Sequence, residues 1–337
     1  MSKQMYHVSK EKEYRKAGAE DLIELLPAPG GNPLFILKWI LESLVYGVAS
    51  REFIHLSGPT GSAKTSLIEA LHRVPDNFGQ VCDRLGLPAR PLKVYPVEMA
   101  VYETPGELYQ RRSLKGGTTY DEMSRLVESL KDAEASSGSA YPLIWLREMG
   151  RVHSSSVQGG LLDLMTKGQI LLPDGATVQG GSIGWISDSN YQAENESTHT
   201  LVTLDDALKR RFSMNVTLDY LPADLEVLVL QHLVRQAGVP EIKRDLLIKV
   251  VAMGQEIRKH RVEGRLQSVP PPSIYGYLAF LRMAGCMPHM SMQQIAQTTL
   301  MGNASLEDRK LNNSVFNQVF GLKLEEDETT TIQGNLF

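Results

Sequence analysis

The chain has 337 residues, 42% of them hydrophobic and 22% charged, which fits a soluble globular protein of two domains or of one large domain with a lobe. Its formal net charge of -4 argues against a general nucleic-acid binder, because phosphate-backbone affinity needs clustered lysine and arginine. The two cysteines, Cys82 and Cys286, lie far apart with no metal-ligand spacing, so a reducing compartment is the plain reading.

In chain order, the polar start Met1-Ser2-Lys3-Gln4 does not read as a signal peptide, and no apolar run reaches about 18 residues. A cytoplasmic protein without a membrane span is expected. Residues 1–21 are rich in Lys and Glu with little apolar periodicity, and read as a solvated arm or frayed helix. A break at Pro27-Ala28-Pro29-Gly30-Gly31-Asn32-Pro33 closes an N-terminal arm of residues 1–33. Residues 34–48 carry apolar side chains nearly all round (Phe35, Ile36, Trp39, Ile40, Leu44, Val45), which suits a helix leading into the first strand. Core packing explains most of that pattern, and a contact with adenine explains it as well.

Residues 51–71 organise the rest. Phe53-Ile54-His55-Leu56 reads as a short buried strand, Gly58-Pro59-Thr60-Gly61-Ser62-Ala63-Lys64-Thr65 as a glycine-bearing turn, and Ser66 onward as a helix with apolar residues at Leu67, Ile68 and Leu71. Strand, loop and helix in that order make an anion cradle. Loop amides and the helix N-terminus converge on phosphate oxygens, a lysine neutralises charge, and a hydroxyl ligates Mg²⁺. The phosphate-loop pattern G-x-x-x-x-G-K-[ST] is met at Gly58, Lys64 and Thr65, with Ala63 in place of the second glycine. Alanine keeps the amide donor, so the expected cost is small unless the position needs a positive φ. A chance glycine turn is the competing explanation.

Residues 92–97 form a plausible second strand despite Pro96. Residues 103–140 read as mostly polar and helical, broken at Gly116-Gly117. Tyr141-Pro142-Leu143-Ile144-Trp145-Leu146 is a third strand, an unbroken apolar run suited to a parallel sheet covered on both faces. Arg147-Glu148 follows it. Glu148, at the C-terminal strand edge where ligands of open α/β sheets bind, is the candidate acid for polarising a water, against an ordinary strand-end charge. Residues 158–165 read as a helix and 168–186 as a hairpin turning at Asp174-Gly175, its second half becoming a fourth strand that ends at Ser187-Asp188-Ser189-Asn190. Asn190 either holds the water or γ-phosphate or simply forms a turn. Residues 204–212 read as a short helix ending in Arg210 and Arg211, and 214–218 as a fifth strand. Helical patterns then follow at 224–237, 241–260, 273–284 and 291–301, and the acidic run at 325–331 reads as a disordered tail.

The ordered set GPTGSAKT, LIWLREMGR, LLDLMTKGQILLPDG, GWISDSN and LDDALKRRF, followed by a helical lobe, resembles the AAA+ ATPases and, within them, the MoxR-like group. The resemblance covers roughly residues 35–290. It implies an α/β P-loop NTPase fold, a five-stranded parallel sheet flanked by helices with a C-terminal α-helical lid. The core would span 34–221, the lid 222–321 and the tail 322–337. By position it implies that Gly58, Pro59, Thr60, Gly61, Ser62, Ala63, Lys64, Thr65 and Ser66 hold ATP, with Thr65 on Mg²⁺. Glu148 would be the catalytic acid, Asn190 the polar sensor, and Arg211 or its neighbour Arg210 an arginine finger reaching the next subunit's nucleotide. For the two arginines, a basic helix end facing the dipole is the alternative. The implied assembly is a homo-oligomeric, hexameric ring that remodels a protein client. Such relatives often work with a von Willebrand factor A-domain partner. Loops 103–120 and 173–181, polar and glycine-bearing, are the candidate working surface. Besides Ala63, two departures qualify this. Arg147 stands where the group has a metal-orienting Asp, and Tyr275, in Ser273-Ile274-Tyr275, where it has a nucleotide-sensing Arg. ATP binding with slow or partner-dependent hydrolysis is therefore expected, and a nucleotide-gated scaffold is the alternative.

Overall fold

The computed structural model describes residues 17–28, 31–152, 154–172, 175–190, 204–239, 242–302 and 304–321. The described residues as far as Pro222 form one compact unit, and those from Ala223 onward form another.

In the first unit, Leu22–Leu25 (β1) and Leu34–Leu37 (β2) form an antiparallel ribbon in which Leu22 faces Leu37 and Leu25 faces Leu34. The helix expected over 34–48 therefore begins only at Lys38. Its first four residues are drawn into a strand by a partner that local periodicity does not reveal. Helix α1 (Lys38–Ala49) buries Ile40, Leu41, Leu44 and Val45. Strand β3 (Phe53–Gly58), helix α2 (Lys64–Arg73) and helix α3 (Pro75–Arg84) follow, the last with proline in its first turn, where no amide donor is needed. Strand β4 (Leu92–Glu98) tolerates Pro96 because it lies at the edge of its sheet.

The stretch expected to be helical over 103–140 divides in two. Gln110–Lys115 (β5) and Thr118–Met123 (β6) form an antiparallel hairpin, and only Arg125–Ser136 (α4) is helical. Gly116 and Gly117 have φ of 59° and 81°. Two consecutive positive φ values favour a tight hairpin connection over a helix break. Ser124 caps α4 by accepting from the Val127 amide at 3.1 Å.

Strand β7 (Tyr141–Arg147) and helix α5 (Ser155–Lys167) come next. The hairpin expected over 168–186 is shorter, pairing Gln169–Leu171 (β8) with Thr177–Gln179 (β9). The fourth strand of the main sheet, β10 (Gly184–Asn190), is a separate element. Helix α6 (Asp206–Lys209) and strand β11 (Met214–Thr217) complete the unit. The turn residues Pro173 and Asp174, residues 1–16 of the arm and the tail at 322–337 lie outside the described residues.

The main sheet has the order β11-β3-β10-β7-β4, and every pairing is parallel. This is the α/β P-loop architecture that the resemblance implies, a five-stranded parallel sheet flanked by helices with further helices after it. Ile54, Leu56, Ile144, Leu146, Trp185 and Ile186 are almost wholly buried, and each such side chain contributes about 1.5–3 kcal/mol. The order places the C-terminal ends of β3, β10 and β7 side by side, so whatever emerges from them shares one edge.

The second unit comprises α7 (Ala223–Gln236), α8 (Arg244–Val262), α9 (Ile274–Cys286), α10 (Met292–Thr299) and α11 (Leu306–Phe320). A buried bidentate pair joins α7 to α8, Arg258 donating to both Glu226 oxygens at 3.0 and 2.8 Å. A Cβ on Gly254 would come within 1.9 Å of the Tyr277 hydroxyl, so the α8–α9 crossing needs a bare backbone there. Ser273 caps α9, and Tyr275 lies partly buried in its first turn. Among the described residues, no helix is long and apolar enough to cross a membrane.

Candidate functional site

The loop between β3 and α2 is shaped by three small residues. A Cβ on Gly58 would approach the Leu218 carbonyl oxygen to 1.9 Å, so only glycine lets β3 pass the exit of β11. Gly61 has φ 82°. Ala63, the cap of α2, has φ 69° and ψ 21°, so this position does need the left-handed conformation and the substitution is not nearly free. Strain of about 1–2 kcal/mol attaches to an L-residue there, partly offset by the greater unfolded-state freedom of glycine. Ala63→Gly is expected to raise the melting temperature of the first unit by about 2 °C. A lower melting temperature would show that the loop relaxes away from this geometry.

Lys64 opens α2 and folds back over its own loop. Its ammonium donates to the carbonyls of Gly58 at 2.9 Å and Pro59 at 2.8 Å, with Ser62 Oγ at 3.5 Å. Burial pulls its pKa down to about 8, against an opposing pull from the Asp188 carboxylate. The folded value lies below the unfolded 10.5. The charged lysine therefore costs the fold roughly 3 kcal/mol at neutral pH, relieved as pH rises from about 8 toward 10.5. A polyanion near Nζ would offset that cost.

An open cleft of about 280 Å³ faces this lysine. From the loop and α2 it is lined by Thr60, Gly61, Ala63, Lys64, Thr65 and Ser66. From the strand ends come Glu148, Asp188 and Asn190, with Arg151 just beyond β7. Of the expected phosphate-loop residues, Gly58, Pro59 and Ser62 shape the loop from outside the cleft wall. Thr65 and Ser66 are exposed at the start of α2, where helix amides favour an anion.

Glu148 follows β7 with φ 54° and ψ 46°, a left-handed conformation that strains a non-glycine residue. Its carboxylate is 3.2 Å from Arg151 Nη1. Arg147 does not line the cleft. Its guanidinium pairs with Glu98 at the end of β4 and lies over the Trp145 ring, 4.8 Å from the centroid. Arg147 is thus held by a partner on the neighbouring strand, away from the cleft lining.

Two polar residues on the neighbouring strands β10 and β3 carry no local signature in the sequence beyond their polarity. Asp188 is 6% exposed, and its Oδ1 accepts from the Trp145 indole at 2.7 Å. Burial pushes its carboxyl above the ordinary carboxylate range, opposed by the indole, the Glu148 backbone, Lys64 and Arg147. His55 on β3 joins its ring nitrogens to Ser187 Oγ at 2.7 Å and Ser189 Oγ at 3.1 Å on β10. Burial, helped by Lys209, lowers its pKa to about 4, so it is neutral at physiological pH and braces the strand that presents Asp188 and Asn190. The signal for both was a polar residue inside a strand otherwise buried.

Arg210 and Arg211 are exposed at the end of α6, and neither lines the cleft. Asp205 caps that helix, accepting from the Ala207 and Leu208 amides.

The site brings a lysine, a helix N-terminus and a hydroxyl to face two carboxylates at the C-terminal edge of a parallel sheet, a donor set of a kind that suits an anion such as phosphate. Neither a protein-family model nor a curated protein sequence matches the chain. Among solved structures it is similar to the Holliday-junction branch-migration motor RuvB of Thermotoga maritima, at 12% identity and TM-score 0.43, over 83% of this chain and 67% of that one. It is also similar to a Cytophaga hutchinsonii protein proposed to be an ATPase, at 14% identity and TM-score 0.39, over 95% of this chain and 96% of that one.

Proposed function

We propose that the chain binds ATP with Mg²⁺ and hydrolyses it slowly, as a MoxR-like AAA+ ATPase in the cytoplasm. It would work as a homo-oligomeric, hexameric ring remodelling a protein client, with a von Willebrand factor A-domain partner. The observation that carries the reading is Lys64, a buried ammonium held on its own loop carbonyls at the mouth of a helix N-terminus. A triphosphate offers that charge better partners than two neutral carbonyls. The donor set also fits Mg²⁺, a hard cation that takes a hydroxyl, one or two carboxylates and substrate phosphates. Thr65 and a cleft carboxylate would hold it, and it would neutralise charge on the phosphates. On this reading Glu148 would accept a proton from an attacking water, and Asn190 would position that water or the γ-phosphate.

The reading is tested by titrating a fluorescent ATP analogue. Lys64→Ala is expected to weaken binding by about 100-fold, since charge-assisted hydrogen bonds contribute about 1.5–3 kcal/mol each. In the unaltered protein, binding above pH 8 must take up a proton at Lys64, so affinity is expected to fall about tenfold between pH 7 and pH 9. Unchanged affinity in Lys64→Ala would remove the phosphate-cradle reading.

A second reading, a nucleotide-gated scaffold with little turnover, draws on the ion pair that holds Glu148 against Arg151. A base so engaged is less available to water. ATP-dependent assembly without phosphate release would favour the scaffold.

A further inference from the structure

We infer that Asp188, on the central strand β10, is the carboxylate that orients the divalent cation of the bound nucleotide, replacing an acid that β7 does not supply. The inference rests on the ATP reading above and assigns a residue to it.

The strand-end position on β7 is Arg147, whose charge is committed to Glu98 and to the face of Trp145. The same Trp145 presents its indole N–H to Asp188 Oδ1 at 2.7 Å. One aromatic side chain thus holds the arginine on its face and fixes the carboxylate at its edge. Asp188 pairs in register with Leu56 of β3, two residues before the rung joining Asn190 to Gly58 at the start of the phosphate loop. It shares the cleft wall with Lys64, Thr65 and Glu148. The acid has in effect moved one strand closer to the phosphate loop.

Charge balance gives the reason for a cation. A buried carboxylate persists only where its surroundings compensate it, and the cleft cation that does so for Asp188 is Lys64, whose charge favours the ionised carboxylate. When a triphosphate draws the lysine toward its own oxygens, Asp188 faces added negative charge. A divalent cation between the carboxylate and the phosphates restores neutrality. Among the described residues, no three His, Cys, Asp or Glu side chains form a metal-binding group, so a cation here would need the nucleotide's oxygens to complete its shell. The competing role for Asp188 is structural, holding the Glu148 turn and balancing Lys64.

The test measures affinity of the full chain for the fluorescent ATP analogue in Mg²⁺ and in EDTA, with a thermal melt of each variant. The unaltered chain is expected to bind about tenfold or more tightly with Mg²⁺ than without it. Asp188→Asn is expected to bring the two affinities within about twofold while leaving the EDTA value unchanged or improved, because one negative charge is gone. Arg147→Ala is expected to keep the unaltered ratio. Trp145→Phe, which frees Oδ1 without changing its charge, is expected to reduce the ratio by about threefold, and it decides the matter if Asp188→Asn shows no cooperative melt. A full Mg²⁺ preference in Asp188→Asn, or in Trp145→Phe where that variant decides, overturns the inference. Equal loss with and without Mg²⁺ in a folded Asp188→Asn variant also overturns it, in favour of the structural role. Failure of the unaltered chain to bind in either condition overturns the ATP reading itself and this assignment with it.

Discussion

Glu148→Gln is expected to lower phosphate release by about 10²–10⁴-fold while leaving ATP affinity within about threefold, the range lost when a positioned general base is removed. In the step concerned, a water oxygen bonds to the γ-phosphorus. The bond from phosphorus to the β–γ bridging oxygen would break, ADP would leave with that electron pair, and on the proposed reading the Glu148 carboxylate would take the water's proton. Glutamine has nearly the same volume and keeps the cleft wall but cannot accept that proton. The left-handed backbone at Glu148 gives the expectation a structural basis, because strain at a strand end persists only where its surroundings hold it. The ion pair to Arg151 implies low activity before the substitution, so steady-state phosphate release should be measured on assembled protein. A Glu148→Gln rate within about threefold of the starting protein would assign the base elsewhere.

Arg211→Ala is expected to slow hydrolysis by about 10³-fold with little effect on nucleotide affinity, as befits an arginine that stabilises charge only as the phosphoryl group transfers. Both candidate arginines are exposed at the end of α6 and stand apart from their own protomer's cleft. Among the described residues, the cations lining that cleft are Lys64 and Arg151. Arg210 lies close enough to Asp206 to help lower its pKa, after Lys209, which makes Arg211 the first to substitute. Mixing Glu148→Gln with Arg211→Ala subunits gives a sharper readout. In a ring of head-to-tail interfaces, equal mixing leaves about a quarter of the sites with both groups intact, so about a quarter of the activity should return. No recovery at any ratio would refute delivery in trans.

The parts legible in the sequence were those with local signatures. The strand-turn-helix of β3 and α2 is legible in its glycine and lysine spacing, and β7 in an apolar run whose burial leaves no alternation to misread. The ribbon β5–β6 is not legible as strand because β6 faces solvent at every position and β5 at most of its described ones, so neither a period of two nor one of 3.6 stands out. Gly116-Gly117 is the available clue, and as a bare pair it suits a helix break as well as a hairpin turn. Helix α11 was not set apart because polar Asp308 and Asn312 are buried within it and blur its apolar stripe. At the site, what escaped was side-chain direction. Arg147 turns away because of Glu98, far off in sequence, and Asp188 was overshadowed by Asn190 although strand alternation puts both on one face. The cost of Ala63 depended on a backbone angle that composition does not encode.

The phenol of Tyr220 donates to the Thr60 carbonyl, and Leu218 lies in near contact with Gly58. The polypeptide leaving the sheet toward Pro222 is therefore moored to the same few peptide groups that would grip a nucleotide's tail. Tension applied along that exit strand would arrive at the loop through one hydroxyl, and a shift of the loop on emptying would slacken the mooring in return.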